Sequence, residues 1–163
     1  MKVAIVYYSQ HHGNTKKLLD AIKGLGDARV RAVDLINTAE CEKADLSGYD
    51  LIGFASGIYF GKFSEAVIRF AKENLPRGKR VFLIYTYGIK RDYTKGMKKI
   101  IAGKSCQLLG TYRCRGFDTF GPLKLIGGIA KGHPDDNDVN GAIEFLRTIL
   151  NNEKIQKNVP SSL

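Results

Sequence analysis

Lys2-Val3-Ala4-Ile5-Val6-Tyr7-Tyr8, followed at once by Ser9-Gln10-His11-His12-Gly13-Asn14-Thr15, decides how this chain folds. The first seven residues form a short apolar run rich in β-branched and aromatic side chains. Such runs belong to strands covered on both faces, as in parallel sheets. The next seven are polar and lead into Leu18, Leu19, Ile22 and Leu25 at helical spacing, with Gly24 or Gly26 placed to close that helix in a left-handed turn. Strand, polar loop and amphipathic helix together make the first half of a parallel crossover.

The pattern repeats outward from there. Ala28 to Leu35 alternates as a weaker, edge-like strand, while Asp50 to Ala55 and Arg80 to Tyr85 are apolar runs of the central kind. Between the latter two, Phe63, Val67, Phe70 and Ala71 make a helical stripe that stops near Pro76. Met97, Ile100 and Ile101 mark a helix before a fifth strand around Leu108 to Cys114, and Val139, Ile143, Leu146 and Ile149 give a last amphipathic helix. Strict alternation implies an α/β fold with a parallel sheet and helices on both faces, strand order 2-1-3-4-5. Residues 1–150 are read as one domain. Residues 151–163, polar and containing Pro160, are read as a loose tail.

Composition bounds the function. The 163 residues, 44% hydrophobic and 26% charged, suit one globular domain, and no apolar stretch approaches the ~18 residues of a membrane span. The amino terminus has neither the apolar core nor the cleavage site of a signal peptide, so a cytoplasmic protein is expected. Cys41, Cys106 and Cys114 form no C-x-x-C pair and fit core thiols in a reducing compartment. His11-His12 lacks a third ligand at a familiar spacing, so no metal site is expected. Of the net charge of +10, residues 77–131 carry +11 and the remainder −1, from which one basic end of the domain is expected.

In an open parallel sheet, ligands bind beyond the carboxyl ends of the strands where the winding direction changes. Here that means the loops after strands one, three and four. In the first, Ser9, Asn14 and Thr15 offer hydrogen bonds, Gly13 permits close approach, and the helix start adds free amides and partial positive charge. On spacing alone this is a phosphate cradle or a plain capped turn.

Tyr8-Ser9-x-x-x-Gly13-Asn14-Thr15, between an apolar strand and an apolar-periodic helix, resembles the FMN phosphate loop of the flavodoxin family. Ala55-Ser56-Gly57-Ile58-Tyr59-Phe60-Gly61-Lys62 is similar to the loop that cradles the isoalloxazine ring, and Thr86-Tyr87-Gly88-Ile89 to the third ring-contacting loop. The resemblance covers roughly residues 1–150. It implies a flavodoxin-like three-layer αβα sandwich with a five-stranded parallel sheet. It also implies one non-covalent FMN and electron transfer between redox partners, with no catalytic residue of the chain's own. Departures are His11-His12 in place of threonine-glycine, the absence of Trp, and a basic charge where flavodoxins are acidic. Tyr59, Phe60 and Tyr87 are candidate cover for the ring or ordinary filling. One of His11 and His12 is a candidate phosphate contact, and Lys62 either favours reduced flavin or sits solvated.

The basic stretch is read as steering an acidic redox protein, and no nucleic-acid motif accompanies it. The rival reading is an FMN-dependent NAD(P)H or quinone oxidoreductase, similar to the flavodoxin-type protoporphyrinogen dehydrogenases with their Ile-x-aromatic-Gly ring loop. Residues 114–134 are long for a strand-to-helix connection. They are read as cover for the flavin edge, as a docking surface, or as a packed Ω-loop. Gly103-Lys104-Ser105 is no P-loop, since Lys98 stands where the leading glycine belongs. Nor does the third strand end in the aspartate of a response regulator; it ends in Ala55-Ser56.

Overall fold

A computed structural model describes residues 1–10 and 12–158, the last six of these by backbone alone. Five long strands alternate with helices: β1 (Lys2–Tyr8), α1 (Asn14–Lys23), β2 (Ala32–Asn37), β3 (Leu51–Tyr59), β4 (Lys62–Phe63), α2 (Glu65–Asn74), β5 (Arg80–Tyr87), α3 (Lys95–Gly103), β6 (Gln107–Arg115) and α4 (Asp136–Asn158). A 3-10 turn, Gly121–Ile126, interrupts the connection to α4. The parallel sheet runs β2-β1-β3-β5-β6, with the two-residue β4 folded back on β3. Counting the long strands only, this is the order 2-1-3-4-5 read from the sequence.

The strand residues that alternate in sequence divide between two cores. Ala4, Val6, Ile52, Phe54, Val81 and Leu83 face α2 and α3, where Val67, Phe70, Met97 and Ile101 cover them. On the other face Val3, Ile5, Leu51, Phe82 and Ile84 meet Leu18, Leu19 and Ile22 of α1 and Ala142, Leu146 and Ile149 of α4. Both faces of β1, β3 and β5 are thereby buried, which is why their sequences are continuous apolar runs. Gly53 is fixed by the same packing, since a Cβ there would stand 2.5 Å from the Phe82 ring on the paired strand.

Three expectations need correction. The second strand begins at Ala32 rather than Ala28, because Asp27 folds residues 27–30 into a turn: its Oδ1 accepts from the Arg29 amide at 2.9 Å, and its carbonyl accepts from the Val30 amide at 2.9 Å. α4 runs on to Asn158, past the Asn151 boundary of the expected tail, because no Gly or Pro intervenes before Pro160; residues 159–163 lie outside the described residues. The basic excess is not gathered at one end. Arg77, Lys79 and Lys104 sit at the amino-terminal end of the sheet. There Lys79 Nζ donates to the carbonyls of Ser47 and Tyr49, and Lys104 Nζ to that of Leu75 at 2.7 Å. Sequence proximity merged charges that strand direction separates.

Candidate functional site

Register brings the carboxyl ends of the central strands level. Tyr8 of β1 pairs with Ser56 of β3, Gly57 with Thr86 of β5, and Tyr87 with Arg115 of β6. The loops that leave these positions enclose a cleft of about 250 Å³. Ser9, Asn14 and Thr15 line one end of it, Gly57 to Gly61 one wall, and Thr86 to Ile89 the floor with Tyr93 beside them. The remaining wall is Gly116, Phe117, Asp118, Phe120 and Leu123. Asp118 is the one ionisable carboxylate among these lining residues, and no Lys or Arg joins it.

At the first loop, Gly13 takes a left-handed conformation (φ 63°) and opens α1 without any side-chain cap. The amides of Asn14 and Thr15 have no intrahelical acceptor by the geometry of a helix start. Among the described residues they donate to no acceptor outside the helix either. Ser9 Oγ accepts from the Lys16 amide at 3.2 Å, which draws the loop back over the helix. Thr15 is fully buried, its Oγ1 3.0 Å from Thr86 Oγ1, so loop one is joined to the end of β5.

The loop between β3 and β4 is a two-residue hairpin. Tyr59 pairs with Lys62 across Phe60 (φ 51°) and Gly61 (φ 77°), and positive φ at both positions is the requirement of a type I′ turn. A phenyl group at the first position is costly there, and Phe60 is nonetheless 84% exposed. Tyr59 packs edge-on to Tyr8 with ring centroids 5.6 Å apart, and its hydroxyl accepts from the Gln10 amide at 3.0 Å. Gly57 lies beneath it in a tight fit: a Cβ would meet the Tyr59 hydroxyl at 3.1 Å and would require that side chain to give by a few tenths of an ångström. Tyr87 is buried against Tyr85 below the floor.

Several residues singled out from the sequence stand outside the lining. Ser56 is fully buried and accepts from the Ser64 amide at 2.9 Å, which ties β3 to the start of α2. Lys62 is exposed and paired with Glu65. His12 turns to the long connection: its Nε2 is 3.0 Å from Thr119 Oγ1, and its ring packs 4.5 Å from that of Phe117. His11 lies outside the described residues. Asn14 spends its side-chain donor on the Phe117 carbonyl at 2.8 Å, while its backbone opens the helix.

The long connection is therefore ordered by the first loop. Phe117 donates to the His133 carbonyl and Asp118 exchanges bonds with Ile129, which closes residues 118–129 into an Ω-shaped excursion. Lys17 Nζ donates to the Pro134 carbonyl at 2.7 Å. Its length in the sequence was the only signal that Gly116 to Leu123 would wall the cleft. Tyr93, which follows a polar loop, gave no signal; desolvation raises its phenol.

One His/Asp group stands close together near the start of α4. His133 Nδ1 is 2.6 Å from Asp138 Oδ2, and Asp135 lies in the same cluster. Its bonds are those of a reciprocal helix cap. Asp138 N donates to Asp135 Oδ1 at 2.9 Å, and Asp135 N to Asp138 Oδ2 at 3.0 Å.

Chemically, the cleft joins free helix-start amides at one end to aromatic walls and side-chain-free backbone at Gly57, Gly61 and Gly88. That donor set fits a flat, amphipathic ring carrying an anionic tail. Residues 5–116 match the family described as Flavodoxin domain. An uncharacterized protein of Methanocaldococcus jannaschii is 36% identical over 155 residues, covering 93% of this chain and all of that protein. Flavodoxin 1 from Bacillus cereus superposes with a TM-score of 0.70 at 14% identity, over 93% of this chain and 98% of that one. A flavoprotein from Lactobacillus acidophilus, solved in complex with FMN, gives 0.52 at 16% over 69% and 92%. Rubredoxin oxygen:oxidoreductase from Desulfovibrio gigas gives 0.72 at 15%, with 97% of this chain matching 37% of that larger one.

Proposed function

Because this chain belongs to the flavodoxin-domain family, we propose that it binds one FMN without a covalent link and passes electrons between redox partners in the cytoplasm. The observation that carries this reading is the joining of uncapped α1 amides to an aromatic cleft on one rim of the sheet. When bound, FMN supplies reversible uptake of electrons and protons, which no side chain here does alone. The amides of Asn14 and Thr15 hold the phosphate, helped by the positive end of α1. Tyr59 and Phe60 cover the ring, Gly57, Gly61 and Gly88 bring backbone donors and acceptors to its edge, and Tyr87 supports the floor. Ser56, His12 and Lys62 act from behind these residues, through Ser64, Thr119 and Glu65. Lys90, Arg91, Arg115, Lys124 and Lys131 leave the carboxyl rim basic, which suits an acidic redox partner and a salt-dependent encounter.

Calorimetric titration with FMN and with riboflavin tests the phosphate role. FMN that binds the unaltered protein no tighter than riboflavin refutes the phosphate role. Thr15→Val keeps the backbone amide, removes the hydroxyl beside it and leaves that of Thr86 unpaired. If that hydroxyl joins the amides at the phosphate, FMN binding weakens roughly tenfold more than riboflavin binding, the worth of a hydrogen bond to a charged group. Equal losses leave the phosphate to the amides alone, and a silent FMN titration of the unaltered protein refutes the cofactor.

A second reading is favoured by one observation: residues 116–123 wall the cleft into a bounded site instead of leaving its edge open. That suits an FMN-dependent NAD(P)H or quinone oxidoreductase, including one of the protoporphyrinogen dehydrogenase kind. Stopped-flow mixing of FMN-loaded protein with NADH or NADPH separates the two, since a carrier is reduced only through another protein.

A further inference from the structure

We propose that the mouth of the cleft is a docking surface for an anionic lipid bilayer, which the chain meets peripherally through protruding apolar tips. Among the described residues five large apolar side chains stand out from the surface: Leu125 at 89% exposure, Phe60 at 84%, Ile126 at 72%, Ile89 at 58% and Phe120 at 51%. They come from the β3–β4 hairpin, the loop after β5 and the 3-10 turn with its approach, all on the carboxyl rim. Phe60 and Phe120 pack edge to face with centroids 5.2 Å apart, and Ile89 and Leu123 line the same cleft. Leu125 and Ile126 follow two and three residues after Leu123. The 3-10 turn buries none of its residues, so core packing does not account for its apolar composition.

Cations flank four of the five tips; Phe120, whose amide donates to Asp118 Oδ1, is the exception. Lys62 follows Phe60 by two residues and is paired with Glu65, Lys90 and Arg91 directly follow Ile89, and Lys124 directly precedes Leu125; all four are exposed. Protein docking faces are enriched in Tyr, Trp, Phe, Met and Arg, poor in Lys, and seat their anchors in well-packed recesses. Here the tips are Phe, Leu and Ile that project, and three of the four cations are Lys. That is the composition of interfacial membrane binding, in which apolar side chains enter the headgroup boundary and Lys stems lie along it with their charges among anionic headgroups. A bilayer has no fixed relief to match, so tips on three separate loops engage it together. A second copy of a chain with net charge +10 is repelled from the same face.

Leu125 and Ile126 lie outside the cleft lining, so a test on them does not depend on whether the cleft is filled. Cosedimentation of the full chain, with and without added FMN, tests it against vesicles of phosphatidylcholine alone and vesicles containing roughly one third phosphatidylglycerol. Binding is expected only to the anionic vesicles. The pair Leu125→Ser and Ile126→Ser, outside the cleft lining, lowers partitioning at least roughly tenfold. Lys90→Gln or Lys124→Gln lowers it roughly fivefold each, and added salt reduces what remains. Because the 3-10 turn buries nothing, thermal unfolding of the Ser variants matches that of the parent, which separates lost docking from lost folding. Absence of vesicle binding, or equal binding to both vesicle types, overturns the proposal. So does self-association in the ultracentrifuge that the Ser variants abolish, for then a second copy covers the tips. Tip-dependent capture of an acidic [2Fe–2S] ferredoxin without vesicle binding overturns it as well, in favour of a protein partner.

Discussion

Replacing Gly116 with alanine tests whether the cleft is held together by the contact between its first and last loops. Gly116 has an ordinary φ, so the effect of a methyl group there is steric alone. The new Cβ would lie 2.8 Å from Asn14 Nδ2, 3.1 Å from Asn14 Cγ and 3.1 Å from Thr86 Cβ. Thr86 is buried and fixed by its strand, so Asn14 must yield, and in moving it gives up its bond to the Phe117 carbonyl. Overpacking costs about 1–2 kcal/mol and the lost hydrogen bond about 1 more. A total near 2–3 kcal/mol corresponds to a fall in Tm of roughly 5–10 °C for a chain of this size. Thermal and urea unfolding followed by circular dichroism give the number, and a double-mutant cycle assigns it. In the Asn14→Ala background the amide is gone, so Gly116→Ala should cost at least about 1 kcal/mol less. The same cost in both backgrounds would refute the reasoning, because the methyl group would then be clashing with something other than Asn14.

Two further predictions concern stability and reactivity. Burial pushes the Cys114 thiol from 9.0 up to about 12, so a disulfide reagent at pH 8 should modify Cys41 and Cys106 in the native protein and Cys114 only after denaturation. With the folded value raised, the stability this thiol contributes is complete below about pH 9 and is lost as pH rises from there toward about 12, a trend that Cys114→Ala should flatten in urea titrations. Gly96 sits in the first turn of α3 with no positive φ and with open space, no atom within 4 Å, where an added methyl group would stand. Gly96→Ala should therefore stabilise the chain by ~0.5 kcal/mol, read as a higher urea midpoint at unchanged slope.

Strand order was legible because burial on both faces writes itself into sequence as uninterrupted apolar runs, and Val3 to Tyr7, Leu51 to Ala55 and Val81 to Tyr85 are such runs. Gly13-Asn14-Thr15 was legible as a helix start for an equally local reason. What the sequence hid was long-range. Asn14 looks like a phosphate ligand beside Gly13, yet its side chain is committed to a carbonyl 103 positions away. His12 likewise reaches Thr119, 107 positions on. Lys62 stood three residues before Glu65 in plain view, but that a pair would form depended on the hairpin turning both outward. Leu125 and Ile126 carried no local mark of exposure, and they stand out because the turn that carries them buries none of its residues.

The ties from Asn14 and His12 to residues 117 and 119 also set an order of events. Their bonding partners are made more than a hundred residues later, so the rim can close only after residues 117–119 have been added to the chain. Closing so wide a loop carries an entropic toll that neighbouring contacts must already have met. The cleft is thus among the last parts to assemble, and retention of a ligand in it marks a chain that has been finished rather than merely begun.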